Sequence, residues 1–130
     1  MTGCHGLVHG ANAPLSTLPY SAGVRSGDHV FLSGQTGVDP ATGQLVEGDV
    51  AAQAEQIFKG LARVLAAAGL SLGDAVKCNV YLTDIGDFQA MNAVYARQFE
   101  APYPARTTVA VAALPGGARI EIELVARQPA

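Results

Sequence analysis

Lysine is scarce in this chain. Two lysines and six arginines face eleven acidic residues, a formal charge of −3, and no basic or acidic block interrupts the scatter. A dedicated nucleic-acid binder concentrates its cations on one surface, so nucleic acid is not the partner this composition points to. Long apolar runs are missing as well. The longest, Val64–Gly69, falls far short of the roughly 20 residues that span a bilayer. The N-terminal region has neither a basic n-region nor an apolar h-region, so no secretory signal is expected. Cysteine is reduced to Cys4 and Cys78, without framework spacing. That usage fits a reducing cytoplasm better than a secreted scaffold. Cys4, His5 and His9 lack a second ligand pair at a workable spacing, so neither metal nor cofactor is expected.

What is present is apolar substance. Hydrophobic residues make up 49% of the 130 residues, and no polar tract divides them. One globular domain with a real core, spanning 1–130, is the expectation. Met1–Leu18 reads as a Gly-, Ala- and Pro-rich leader, flexible over residues 1–14 and turning into strand near its end.

After the leader, Tyr20–Arg25 and His29–Ser33 are strand-like runs around the hairpin signal Ser26-Gly27-Asp28. Ser33-Gly34-Gln35-Thr36-Gly37 follows, where glycines remove side chains and either let a ligand approach the backbone or merely end a strand. Asp39–Gly43 is a turn and Gln44–Val46 a brief third strand. Asp49 caps a helix to about Ala68, whose stripe is Ala54, Ile57, Leu61, Val64, Leu65 and Ala68, with Gly69 past its end. Asp74–Thr83 alternates as a strand, with Val76, Cys78, Val80 and Leu82 on the apolar side and Tyr81 on the other. A second helix over about Phe88–Glu100, capped by Asp84 or Asp87, has the stripe Phe88, Met91, Val94, Tyr95 and Phe99, with Asn92 beside it. Pro102 and Pro104 stop it.

Pro104–Glu123 then reads as two strands joined by Leu114-Pro115-Gly116-Gly117. Arg106 stands in the first, while Glu121 and Glu123 share one face of the second. The order β-β-β-α-β-α-β-β predicts an α+β two-layer sandwich with both helices on one face of a mixed sheet. The opposite face is too apolar for water. It implies either a homo-oligomer of closed symmetry or a monomer covered by a longer terminal segment. An arginine and a carboxylate on strands this apolar are costly to desolvate without partners or a task, and serve either as a structural ion pair or as a site.

Tyr20, Ser33-Gly34-Gln35, the Asp39-Pro40-x-Thr42-Gly43 turn, Asn92, and above all Pro104-Ala105-Arg106 through Leu114-Pro115 to Ile120-Glu121-Ile122-Glu123 resemble the RidA/YjgF family, from about Pro14 onward. The resemblance implies a chorismate-mutase-like fold and a homotrimer with ligand clefts between subunits. It also implies hydrolysis of reactive 2-imino acids or their enamine tautomers, of the 2-aminoacrylate and 2-iminobutanoate type, to 2-keto acids and ammonia. Residue by residue, Arg106 matches the arginine that grips the substrate carboxylate, and Glu121 the glutamate that handles water. Tyr20 and Gly34 match positions lining the cleft, and Asn92 one that supports it. Where many deaminase members carry a cysteine two residues after the arginine, this chain has Thr108.

That chemistry is coherent in itself. A guanidinium forks onto a carboxylate bidentately, and a neighbouring carboxylate can deprotonate a water attacking an already electrophilic iminium carbon. Two alternatives use the same residues differently: a non-catalytic binder of small carboxylic acids, and a ribonuclease or translation inhibitor, a label some relatives carry.

Overall fold

The structure, a computed structural model, describes residues 18–130 and the backbone of 5–8. Cys4, His9 and most of the expected leader lie outside those residues. Ten elements follow one another: β1 (His5–Val8), β2 (Gly23–Ser26), β3 (His29–Thr36), β4 (Val38–Asp39), β5 (Gln44–Leu45), α1 (Val50–Ala67), β6 (Ala75–Leu82), α2 (Phe88–Gln98), β7 (Ala105–Ala110) and β8 (Ile120–Arg127). The main sheet has the order β1-β2-β3-β8-β6-β7, and β4 pairs with β5 as a separate small hairpin. Only β6 and β7 run parallel, as expected of strands joined by a crossover helix. Both helices lie on one face of this mixed sheet. No helix of the described residues is long and apolar enough to cross a membrane.

The first helix forms where capping and periodicity agree. Asp49 holds an extended backbone and accepts from the Ala52 N–H at 3.1 Å. At the other end Gly69 turns left-handed, its N–H reaching the Ala66 carbonyl while Leu70 N–H reaches Leu65. This pair of bonds closes the helix as a Schellman cap. Ala54, Ile57, Leu61 and Leu65 are fully buried against β3 and β8, each larger side chain contributing about 1.5–3 kcal/mol by leaving water. The two helices meet through Phe58, Tyr95 and Phe99, with ring centroids 4.8–5.9 Å apart. That spacing suits edge-on and tilted aromatic packing. Gln53 is the buried polar residue of the interior, and its Oε1 accepts from the Arg119 N–H at 2.9 Å. It thereby ties α1 to the entry of β8.

Four expectations are corrected. The strands of Arg106 and Glu121 do not form a hairpin, because β6 lies between them and pairs with both. After β7 the Val111 N–H bonds the Leu82 carbonyl. The chain then passes through a short 3-10 turn at Pro115–Gly117 and meets the end of β6 again where Thr83 N–H bonds Arg119 O. The apolar alternation fixes which face a strand presents, but not which strand is its neighbour.

Secondly, Val76 leaves the apolar series and is 43% exposed, because the pairing of β6 with β8 slips between Ala75 and Lys77. Such a slip reverses the face of the residue within it. Thirdly, strand structure arises at His5–Val8, early in the leader, and pairs with β2. The expected third strand at Gln44–Val46 belongs to the β4–β5 hairpin rather than to the main sheet.

Candidate active site

The parallel register of β6 and β7 sets Arg106 opposite Cys78 and Thr108 opposite Val80. Cys78 and Val80 are fully buried beneath α2, so Arg106 and Thr108 also project to the helix side of the edge strand. There the Arg106 guanidinium lies 4.6 Å from the centroid of the Tyr95 ring and 5.5 Å from that of Phe88. One of its N–H groups donates to Asn92 Oδ1 at 2.6 Å. Two aromatic faces and an amide thus hold a planar cation in place. Among the described residues no carboxylate pairs with it. Its remaining donors are open to an anion.

Behind the guanidinium the surroundings are dry. Burial pushes the Cys78 thiol up, and burial likewise pushes up the phenol of Tyr95, whose hydroxyl faces the Cys78 sulfur. Among the described residues the Tyr95 hydroxyl and the Thr108 hydroxyl are both buried without a hydrogen-bond partner.

A second group forms on the other side of the sheet. The ladder between β3 and β8 slips between Leu32 and Gln35, a bulge at Ser33-Gly34. The slip brings Gly34 against Glu121, and a Cβ at residue 34 would sit 2.9 Å from the Glu121 carboxyl carbon. A side chain at this position would have to displace the Glu121 carboxylate, which takes up that space. Ser33 Oγ donates to the Ser21 carbonyl at 2.6 Å and Ser33 N–H to Ala22 O at 3.0 Å. These bonds fix the segment that carries Tyr20, 55% exposed, at the same end of the sheet.

Glu121 sits opposite Tyr81 on β6 and Thr36 on β3. Burial, and after it the charge of Glu123, hold its carboxyl above the usual carboxylate range. Glu123 in turn accepts at Oε1 from both the Tyr81 hydroxyl and, at 3.4 Å, the Asn79 amide.

The expected site residues therefore fall into two clusters. Arg106, Asn92 and Thr108 stand together on the helix side of β7, and Gly34 and Glu121 meet on the open side of β3 and β8, with Tyr20 on the segment that Ser33 ties down. Two strand spacings and three residues of rise place the Arg106 and Glu121 backbones on the order of 14 Å apart in one chain, on opposite faces. A direct ion pair between them within one subunit is ruled out.

The family model described as Endoribonuclease L-PSP matches residues 10–128. The chain belongs to this family. It is the family that the Arg106 and Glu121 motifs resemble under the name RidA/YjgF. Relatives include Protein DfrA of Myxococcus xanthus, 48% identical over 121 residues, covering 92% of each chain. The human protein named 2-iminobutanoate/2-iminopropanoate deaminase is 45% identical over 122 residues, covering 94% of this chain and 89% of its own. Among solved structures, RidA from an Antarctic Psychrobacter superposes with a TM-score of 0.88 at 45% identity, over 94% of this chain and 98% of the other.

In this L-PSP family member, five residues singled out in the sequence, Arg106, Asn92, Thr108, Gly34 and Glu121, fall in these clusters beside others that the sequence does not mark. Tyr95 reads as plain core and Cys78 as a small hydrophobe. Yet they floor the Arg106 cluster together with Phe88. Tyr95 follows Asn92 by three residues, so it lies one turn along the same helix face. That spacing was the available signal. Tyr81 and Glu123 gave a weaker one, since cross-strand neighbours can be named only once the strand order is known.

Proposed function

We propose that this protein hydrolyses 2-imino acids, of the 2-iminobutanoate and 2-aminoacrylate type, to 2-keto acids and ammonia, in clefts between the subunits of a homotrimer. The observation that carries the reading is Arg106, a guanidinium fixed by Asn92 and two aromatic rings with no carboxylate among the described residues of its own chain to neutralise it. Such a group is prepared for a carboxylate from outside. Because Glu121 faces the other side of the sheet, a cleft using both takes Arg106, Asn92 and Thr108 from one subunit and Tyr20, Gly34 and Glu121 from the next. The names of the human, mouse and Arabidopsis relatives, all deaminases, support the same chemistry.

In this reading Arg106 grips the substrate carboxylate and so fixes the adjacent imine carbon. A water beside Glu121 attacks that carbon, and its proton passes to the carboxylate as the C–O bond forms. The carbinolamine carries hydroxyl and amine on one carbon. Glu121 returns the proton to nitrogen, the C–N bond breaks, and the hydroxyl gives its proton to the Glu121 carboxylate to become the ketone, that proton leaving with the ammonia as ammonium. An elevated Glu121 suits a group that must both take and give a proton. Gly34 leaves room for the Glu121 carboxyl, Tyr20 lines the mouth, and Thr108 lies next to the clamp.

The decisive measurement is imine hydrolysis by wild type beside Arg106→Ala, with the imino acid generated in the cuvette. Losing a charge-assisted bidentate contact predicts a fall in kcat/KM of roughly a hundredfold. Full activity in Arg106→Ala would remove the clamp from the scheme. A second reading is a carboxylate-binding protein without turnover, favoured by Thr108 standing where many deaminase members have cysteine. Saturable binding of 2-keto acids with no ammonia release from imino acids would select it.

A further inference from the structure

Two carboxylates stand side by side on the open face of β8, and the fold treats them differently. Glu121 and Glu123 are separated by two residues of strand rise, about 6.6 Å. Glu123 is anchored, with Oε1 accepting from the Tyr81 phenol and from the Asn79 amide, both on β6. Glu121 has no such donor from a side chain among the described residues, and its head group lies against the bare backbone of Gly34. The groups facing Glu121 can be taken element by element. From β8 comes Glu123. From β6 come Tyr81, directly opposite, and Asn79, with Lys77 further along and engaged by Thr107 Oγ1 at 3.0 Å. From β3 come Gly34 and Thr36. None of them is a cation bonded to Glu121.

Resting on the deaminase reading, we infer that Glu123, held by Tyr81 and Asn79, is a positioning residue for Glu121. Its carboxylate is pinned by two donors two residues away, which leaves Glu121 as the carboxyl of the pair free to exchange the proton. The asymmetry follows from the donors. A carboxylate that accepts two hydrogen bonds keeps its charge, and a like charge nearby drives its unanchored neighbour towards the protonated form. The Tyr81 phenol, pushed up to about 12 chiefly by its bond to Glu123, remains a donor throughout the range in which carboxylates titrate. The arrangement parallels carboxyl pairs in which one member stays ionised and the other carries the proton.

The test pairs Glu123→Gln and Tyr81→Phe with a direct titration. Carbon-13 NMR of the side-chain carboxyls follows the Glu121 midpoint without any reference to turnover, with Glu121→Gln identifying its signal. The amide introduced by Glu123→Gln can still accept from Tyr81 while carrying no charge. In this variant the Glu121 midpoint is expected to fall by roughly 0.5–1 pH unit, the effect of one unit charge at this range across a wet protein surface. The acid limb of the kcat/KM profile should move with it. Tyr81→Phe releases the anchor and should shift the midpoint the same way by less. A Glu121 midpoint unmoved in Glu123→Gln, in a protein with a native spectrum, overturns the inference. Undiminished turnover in Glu121→Gln would instead overturn the role of Glu121 in the deaminase reading while leaving the titration result standing.

Discussion

At the scale of single residues, the features that mark the site are all departures from what a strand normally holds. Gly34 lies in a bulge, and the Glu121 carboxyl fills the volume of its missing side chain. Arg106 spends its aliphatic stem on an edge strand and its head on two rings. Glu121 is half-buried beside another acid, so folding raises the proton affinity of its carboxyl. A carboxyl whose folded pKa is raised burdens the fold at higher pH, and that burden fades as pH falls through the folded value towards the unfolded one. Glu121→Gln is therefore expected to raise Tm at neutral pH and to leave the gain absent at about pH 4, where the unfolded carboxyl is also largely protonated. Thermal melts of both proteins at the two pH values check it. An equal gain at both would show that packing rather than charge sets the difference. Lost activity joined to gained stability is the pattern expected of a group kept for chemistry.

Secondary-structure elements were legible to unequal degrees, and the physics says why. The first helix was readable almost to its ends because its signals are local: Asp49, the Ile57-Leu61-Val64-Leu65 stripe, and Gly69 each act within a turn or two. Faces of strands, apart from Val76 at the slip in β6, were readable for the same reason, and Glu121 with Glu123 emerged on one side as alternation requires. Neighbours were not. A parallel crossover through α2 delivers β7 beside β6, and β8 must then find its place between β6 and β3, an outcome written in long-range pairing rather than in any local pattern. The expected Arg106–Glu121 hairpin failed on that point, although both residues stand out in the sequence.

Gln53 was invisible in the same way, because its partner is a backbone N–H of Arg119, 66 residues away. Gln53→Ala should strand that donor in the interior and cost about 1–3 kcal/mol. The cost would be read as a lower midpoint in urea with an unchanged slope. A change below about 0.5 kcal/mol, the level of an ordinary surface substitution, would mean the bond is replaceable.

For the whole molecule, the two-sidedness of the sheet is the governing fact. One face is filled by α1 and α2. The other offers Phe31 at 48% exposure and Val109 at 40%, beside the polar row of Glu121, Glu123 and Tyr81. With Arg106 under the helices and Glu121 on the open face, a single chain holds two half-sites that cannot meet within it. In the proposed homotrimer, the half of one subunit would meet the complementary half of the next. This geometry has a quantitative consequence. Arg106→Ala and Glu121→Gln each impair one half, so each variant alone should keep on the order of one per cent of wild-type activity or less.

When the two are unfolded together in equal amounts and refolded, a cleft is intact where a Glu121→Gln chain supplies Arg106 and an Arg106→Ala chain supplies Glu121. Random assortment makes that roughly one cleft in four, and about a quarter of wild-type activity should return. Refolding each variant separately and mixing afterwards should restore less, in step with the rate of subunit exchange. If co-refolded mixtures reach the assembled mass by sedimentation and stay inactive, Arg106 and Glu121 do not serve one cleft across a subunit boundary.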